Sequence, residues 1–468
     1  MPEAKDSFDV VVIGGGPGGY VAGIRAGQLG LRAAVVDNSS ALGGTCLLRG
    51  CIPTKAMLHA AEVLETARHA ADFGVQLQSP SIDMAAMHRY KNKVVLKNTK
   101  GVEYLLKKNK VTRVRGHGRL AGAGTVEVEE EGGKKRVLKA KHIILATGST
   151  VRDLPFARFD GDRLLSSDDM LNLQEVPETL VVLGAGAVGV EFASVFSRFG
   201  SKVTLVELLP HVVPLEDEEI SVALAKELKK RGIDVHVDTA VSKVIVGKKS
   251  VKLEARSKGK PVVLEAERVL LAAGRRPVTE DLGLAGTHIK VEKGFLQVDE
   301  FLRTGQEGVY AIGDIVNSPQ LAHVASHEGI LAVDHLAGQH VSPMNYDHVP
   351  ACTYCDPEVA SVGLTEAEAR KRGHDVRVAK FPFTAIAKAA ILGDTSGFVK
   401  IVGDKKHDEL LGVHVIGPRA TELIAEAGTA LRLESTVEEL FHVIHAHPTL
   451  SEAVGEAALG IHGRSIHI

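Results

Sequence analysis

Phe8-Asp9-Val10-Val11-Val12-Ile13-Gly14-Gly15-Gly16-Pro17-Gly18-Gly19 is the stretch that decides the fold. Its unbroken β-branched run reads as a strand buried on both faces of a parallel sheet. The run stops at a glycine cluster, and an alanine-rich helical pattern follows to about Gly30. Leu31 to Val36 reads as a second strand, closed by Asp37. Strand, GxGxxG, helix, strand and acid, in that order, make one Rossmann unit. Gly14 makes the tight turn, Gly16 lets a pyrophosphate approach the backbone, and Gly19 lets helix pack closely on strand. Asp37 is placed to accept hydrogen bonds from an adenosine ribose. The glycine pattern alone is weak evidence; in this context it is strong.

The arrangement recurs. Leu180-Val181-Val182-Leu183 runs into Gly184-Ala185-Gly186-Ala187-Val188-Gly189, then a helical pattern, then a strand from Lys202 to Val206 closed by Glu207. First glycine and acid are 23 residues apart in both copies (14 to 37 and 184 to 207). His142-Ile143-Ile144-Leu145-Ala146-Thr147-Gly148-Ser149 reads as a buried strand ending in small residues. Arg268-Val269-Leu270-Leu271-Ala272-Ala273-Gly274 echoes it after the second copy. Duplication of spacing and context implies two dinucleotides on one chain. Glu207 puts a carboxylate where a ribose 2′-hydroxyl lies, and Leu208, Leu209 and Pro210 follow without an arginine. A 2′-phosphate would meet negative charge there, so the second site favours NAD over NADP. The first copy has no feature that separates NAD from FAD.

Cys46 lies nine residues after Asp37, within Gly44-Thr45-Cys46-Leu47-Leu48-Arg49-Gly50-Cys51-Ile52-Pro53-Thr54-Lys55. If the first unit folds as read, this segment runs beside a bound redox cofactor, and a thiol pair there suggests a disulfide that exchanges electrons. The alternative is two buried structural cysteines. In a straight helix, residues five apart have Cα atoms roughly 8–9 Å apart, too far for a disulfide. Pairing therefore needs a bent or unwound turn, which Gly50 and Pro53 permit.

The rest of the chain is quieter. Helix is expected from Lys55 to about Gly74 and from roughly Asp83 to Lys108. Hairpin strands are expected around Gly116-His117-Gly118 and Glu127 to Arg136, and another hairpin around Lys258-Gly259-Lys260. Val309-Tyr310-Ala311-Ile312-Gly313-Asp314 reads as a short strand ending in Gly-Asp. Beyond Pro350 no fingerprint occurs; strands (Gly397 to Val402, Leu411 to Ile416) and helices (Glu422 to Leu433, Val437 to Val443) suggest an α+β unit. At 468 residues the chain is long enough for about three domains. A net charge of −2, with no dominant basic patch, gives no reason to expect nucleic acid as a partner. No apolar run is long enough to span a membrane. Four cysteines in so long a chain make no secreted disulfide framework, so a reducing cytoplasm is expected.

Taken together, the opening fingerprint, Cys46-x4-Cys51 with Ile52-Pro53-Thr54-Lys55, the second fingerprint, Gly313-Asp314 and the closing His447-Pro448-Thr449-x-Ser451-Glu452 resemble the pyridine nucleotide–disulfide oxidoreductases over essentially the whole chain. Within that family the wording is most similar to the branch that oxidises dihydrolipoyl groups of 2-oxo acid dehydrogenase and glycine cleavage complexes. Glu207, Leu321-Ala322-His323 and His445-Ala446-His447-Pro448 carry that likeness. The resemblance implies an α/β fold of two Rossmann-like dinucleotide-binding domains and a C-terminal α+β dimerisation domain. Its expected bounds are 1–150 for FAD, 151–279 for NAD, 280–349 for a central domain completing the FAD site, and 350–468 for the interface.

By the same resemblance FAD would lie against Gly14, Gly16, Gly19, Asp37, Gly44, Thr45, Lys55, Gly118, Thr147, Gly148, Ser149, Asp314 and Ala322. NAD would lie on Gly184, Gly186, Gly189 and Glu207, with Val241 and Gly274 nearby, and Glu191 would pair with Lys55. Cys46 would exchange with substrate, Cys51 would face the flavin, and His447, oriented by Glu452, would take the Cys46 proton. A homodimer is implied, together with a dihydrolipoyl domain of an acyltransferase or a glycine cleavage carrier protein as partner. Three features depart from the family pattern: Asp37 where glutamate is commoner, Arg49 inside the thiol loop, and Cys352-x-x-Cys355. The last lacks the further ligands a zinc site needs, so inert thiols and no metal are expected. Competing functions are an NADH-dependent reductase of another disulfide or quinone, and a non-catalytic NAD-sensing flavoprotein or scaffold.

Overall fold

The computed structural model describes residues 6–468. Strand β1 (Ser7–Ile13), helix α1 (Pro17–Gln28) and strand β2 (Ala33–Asp37) form the first unit in the expected order. β1 pairs in parallel with β2, Val10 opposite Ala33 through Ile13 opposite Val36. Val10, Val11 and Val12 are fully buried because the sheet is covered on both faces. The thiol segment becomes two helices, α2 (Gly44–Arg49) and α3 (Cys51–Arg68). A 3₁₀ turn follows α3 at Ala70–Phe73, stopped by Gly74 in the left-handed region at φ 79°. Helix α4 (Met84–Lys108) leads to β3 (Thr112–Arg115), β4 (His117–Leu120), β5 (Thr125–Glu129) and β6 (Lys135–Leu145).

β6 corrects one expectation. The hairpin return after Gly132-Gly133 and the buried strand entering Thr147-Gly148 are a single 11-residue strand. Its first half pairs antiparallel with β5 and its body pairs in parallel with β1. The sheet order is β3-β2-β1-β6-β5-β4. A short β7 (Ser149–Val151) follows.

The second copy starts with β8 (Leu164–Leu165) and α5 (Ser167–Met170), then β9 (Thr179–Leu183), α6 (Ala187–Phe199) and β10 (Lys202–Val206). Helix α7 (Glu218–Lys230) and β11 (Asp234–His236) come next, followed by an antiparallel meander of β12 (Thr239–Val246), β13 (Val251–Ser257) and β14 (Lys260–Ala266). β15 (Arg268–Leu271) completes a parallel sheet of order β11-β10-β9-β15-β8. β16 (Arg275–Pro277) then pairs antiparallel with β7. After β17 (Val291–Glu292) and β18 (Phe295–Leu296), β19 (Val309–Ala311) joins β6 in parallel, and α8 (Ala322–Leu336) packs on α1.

The final stretch is α+β, as the pattern past Pro350 indicates. Its strands are β20 (Ala351–Thr353), β21 (Glu358–Gly363), β22 (Val376–Pro382), β23 (Phe398–Asp404) and β24 (Leu410–Gly417). They form one sheet of order β20-β21-β24-β23-β22. Helices α9 (Glu366–Lys371), α10 (Ala387–Leu392), α11 (Ala420–Arg432), α12 (Val437–His442) and α13 (Glu452–Ile461) accompany it. Phe381, Phe383, Ile401 and Val413 are fully buried at its centre. By contact density the chain forms two compact units. Among the described residues one contains 6–56, 86–152 and 275–346; the other contains 57–85, 153–274 and 347–468.

Candidate active site

The two glycine loops are near-copies down to single hydrogen bonds. Gly14 and Gly184 sit at φ +113° and +103°, and each donates its amide across to the neighbouring strand, at 2.8 Å to Val36 and to Val206. A side chain on Gly19 or Gly189 would fall on the carbonyl of Gly14 or Gly184, so helix and turn touch as the fingerprint requires. Gly16 and Gly186 cap α1 and α6 with φ −72° in both. Neither cap has a side chain to satisfy the first-turn amides, which leaves them for a pyrophosphate. Both loops therefore fit a dinucleotide.

The acids also match. Asp37 accepts the Gly15 amide at 2.7 Å through one oxygen and the Ser39 amide at 2.8 Å through the other. Glu207 accepts Ala185 at 2.7 Å and Leu209 at 3.0 Å in the same two roles. Each carboxylate is thus fixed by backbone at the end of its strand and keeps free lone pairs for a ribose.

Between the cysteines the helix breaks where the spacing demands. Gly50 adopts φ −145°, ψ −113°, ending α2, and α3 restarts at Cys51. The two half-buried thiols are hydrogen-bonded to each other, and that bond is the main reason the Cys46 thiol is pushed far up; burial and the Cys51 charge add to it, while Lys55 opposes. In this reduced state the pair stores a proton that a base must remove before exchange. Gly44, at φ +55°, lies against Gly16, where a Cβ would come within 2.6 Å of the Gly16 Cα.

Further expected residues gather around these strand ends. The Ser149 hydroxyl donates to Asp314 at 2.5 Å, and the Thr147 hydroxyl donates to the Val278 carbonyl at 2.6 Å. Gly148 takes φ +70°. Ala322 opens α8, whose fully buried Glu328 accepts from the Gly313 amide at 2.6 Å and from the Tyr346 hydroxyl at 2.8 Å. Burial pushes the Glu328 carboxyl up. Gly118 has a packing reason for its missing side chain, since a Cβ would press on Val36 and Ile13. In the other unit Glu191 is buried and accepts the Tyr354 amide at 3.0 Å. Val241 sits at a bulge in β12, and Gly274 takes φ +96°.

The terminal motif forms a dyad. His447 Nδ1 lies 2.9 Å from Glu452, whose other oxygen accepts the Thr449 amide at 2.8 Å. Against an opposing burial effect, the Thr449 amide and His447 hold the Glu452 carboxyl below its usual range. The His447 side chain is 72% exposed, so its free ring nitrogen faces outward. Two residues earlier His445 makes a second pair, 2.7 Å from Glu426, which raises its affinity for a proton. Cys355 is buried with its thiol donating to the Pro357 carbonyl at 3.1 Å, and burial pushes it well up. Among the described residues no cluster of three or more His, Cys, Asp or Glu could hold a metal.

Comparison with known families decides the class. Residues 8–329 match the pyridine nucleotide-disulphide oxidoreductase family and residues 349–458 match its dimerisation domain. The chain belongs to the pyridine nucleotide-disulphide oxidoreductases. As a member it is an NAD-dependent flavoprotein disulfide oxidoreductase, using FAD and NAD. It is 46% identical to the dihydrolipoyl dehydrogenase of Bacillus subtilis, over 98% of this chain and 99% of the relative. It is 44% identical to the mitochondrial dihydrolipoyl dehydrogenase of Pisum sativum, over 99% and 93%. Among solved structures it resembles LpdA of Mycobacterium tuberculosis, with TM-score 0.90 and 28% identity over 97% and 99% of the two chains. Within this oxidoreductase fold, sequence reading missed Arg275, which donates to Ser149 and Thr45. Its one signal in the sequence is a place directly after Gly274.

Proposed function

We propose that the chain is a dihydrolipoamide dehydrogenase, passing two electrons from dihydrolipoyl groups to NAD⁺. The observation that carries the reading is the hydrogen-bonded Cys46–Cys51 pair, presented across a helix break beside the first dinucleotide loop, in a chain similar over nearly its full length to dihydrolipoyl dehydrogenases. Oxidised, the pair is the acceptor. A dihydrolipoyl thiolate attacks Cys46 and forms a mixed disulfide, which releases Cys51 as a thiolate. The second dihydrolipoyl sulfur then closes the cyclic disulfide and frees Cys46. His447, its ring held in orientation by Glu452, takes the proton of the attacking thiol, and the proton of the second sulfur passes to the departing Cys46. In the dimer that the terminal match supports, His447 of the partner subunit would serve these thiols. When bound beside Cys51, FAD supplies a two-electron relay to NAD⁺.

Gly14, Gly16, Gly19, Asp37, Gly44, Thr45, Lys55, Thr147, Gly148, Ser149, Asp314 and Ala322 would hold FAD, with Gly118 behind them. Gly184, Gly186, Gly189, Glu207, Val241 and Gly274 would hold NAD. The expected division at residues 150, 279 and 349 follows from these assignments. The partner would be a lipoyl-carrying domain, in the cytoplasm.

Initial rates of NAD⁺ reduction by dihydrolipoamide test the reading, beside NADP⁺ and beside glutathione disulfide with NADH. Fast turnover confined to dihydrolipoamide and NAD⁺ is expected. A flavin-loaded protein inert toward dihydrolipoamide would send the search to other disulfides.

A further inference from the structure

The thiol turn is held from outside by one guanidinium. Arg275 Nε donates to the Ser149 hydroxyl at 2.7 Å, and its Nη2 donates to the Ser149 carbonyl at 2.7 Å and to the Thr45 hydroxyl at 3.2 Å. Ser149 is 5% exposed and its hydroxyl also contacts Asp314 at 2.5 Å. The proton order in this chain is set by chemistry. Arginine only donates and an ionised carboxylate only accepts, so the Ser149 hydrogen points at Asp314.

Thr45 connects this chain to both cysteines. It precedes Cys46 in α2, and it packs on the break that carries Cys51: a Cβ on Gly50 would meet the Thr45 carbonyl oxygen at 2.9 Å and its methyl at 3.2 Å. Gly50 is tied onward as well, its carbonyl accepting the Thr54 hydroxyl at 2.7 Å. A cyclic disulfide is stable in proportion to how well its two thiols are held within reach of each other, and here a single contact at Thr45 bears on both arms.

We propose that Arg275 is a positioning residue for the thiol pair: through Thr45 it anchors the turn at Gly50 and so sets the stability of the Cys46–Cys51 disulfide, while through Ser149 it orients the Asp314 carboxylate. The proposal rests on the reading that the pair cycles between dithiol and disulfide. Lysine cannot replace the guanidinium, because one ammonium cannot reach the Ser149 and Thr45 acceptors in the same fork geometry.

The test is a redox titration of the full-length, flavin-loaded protein against dithiothreitol, with thiols trapped by alkylation and flavin absorbance recorded in parallel. Arg275→Lys is expected to make the disulfide about tenfold easier to reduce, about 30 mV in a two-electron couple. Thr45→Val, which keeps the shape and removes the acceptor, should reproduce the shift, and the double variant should add little to either. Thr45→Val stands alone if Arg275→Lys fails to fold. A disulfide in Thr45→Val as stable as in the wild type would overturn the proposal, as would shifts that simply add in the double variant. If the wild type forms no Cys46–Cys51 disulfide, the underlying reading fails instead.

Discussion

The first and second dinucleotide loops differ less in their glycines than in what lies over them. Around the first, Gly44 of the thiol segment rests on Gly16, and Gly18 lies against the Ala325 carbonyl and Ile312. Around the second, nothing lies within 4 Å of where a Gly186 side chain would begin, and Val188 is 41% exposed. The same backbone device is enclosed in one copy and open in the other. Enclosure suits a group that stays bound through many turnovers; an open loop suits one that must arrive and leave each time.

Substituting the matched glycines sharpens this contrast most. Gly44→Ala forces a side chain into the left-handed region and onto the Gly16 backbone. With strain alone costing about 1–2 kcal/mol and the clash adding to it, the protein should purify without its yellow chromophore. Gly186→Ala meets no protein atom, so it should fold and retain flavin as the wild type does. Its methyl would stand where a pyrophosphate approaches, raising KM for NAD⁺ about tenfold, the equivalent of about 1.4 kcal/mol. Flavin content and NAD⁺ kinetics check the pair together.

The second copy also carries a buried titrating carboxyl. Burial, assisted by the Asp217 charge and opposed by Ser361, pushes the Glu216 carboxyl up to about 7. One of its oxygens has no hydrogen-bond partner. Below the ordinary value of 4.5 the group is neutral in both folded and unfolded chains and costs nothing. Between there and about 7 only the unfolded chain ionises, so stability falls as pH rises, by about 3 kcal/mol at most. Denaturant unfolding of Glu216→Gln at pH 5 and pH 8 should show that slope flattened.

The two acids give the smallest contrast. Asp37→Asn and Glu207→Gln each leave one backbone amide facing an NH₂ group, at about 1–3 kcal/mol for a buried donor. Glu207 is 9% exposed and Asp37 is more open, so the melting temperature should drop further for Glu207→Gln. Equal losses would mean that water satisfies both loops alike.

Both loops and the thiol break were legible because each rests on local chemistry: glycines at fixed offsets, an acid at a strand end, a helix that must bend between two cysteines. β6 was read as two strands because its exposure changes along its length. Residues 135–139 pair with β5 and alternate in exposure, and Ile143 to Leu145 are buried. One strand shared by two environments mimics an element boundary. Arg275 was invisible because its partners lie 126 and 230 residues away. The buried Lys400 was equally hidden; its carboxylates Asp217, Glu219 and Glu366, at 2.8, 2.8 and 2.9 Å, come from other elements of the chain. Ion pairs of this kind have no periodicity to read.

The most direct test of the electron path is the absorbance of the bound flavin when dihydrolipoamide is added without oxygen, in the wild type and in Cys51→Ser. Rapid reduction of the wild-type flavin chromophore is expected, and none in the variant, which should keep its FAD but lack the sulfur proposed to face it. Reduction at the wild-type rate in Cys51→Ser would contradict it.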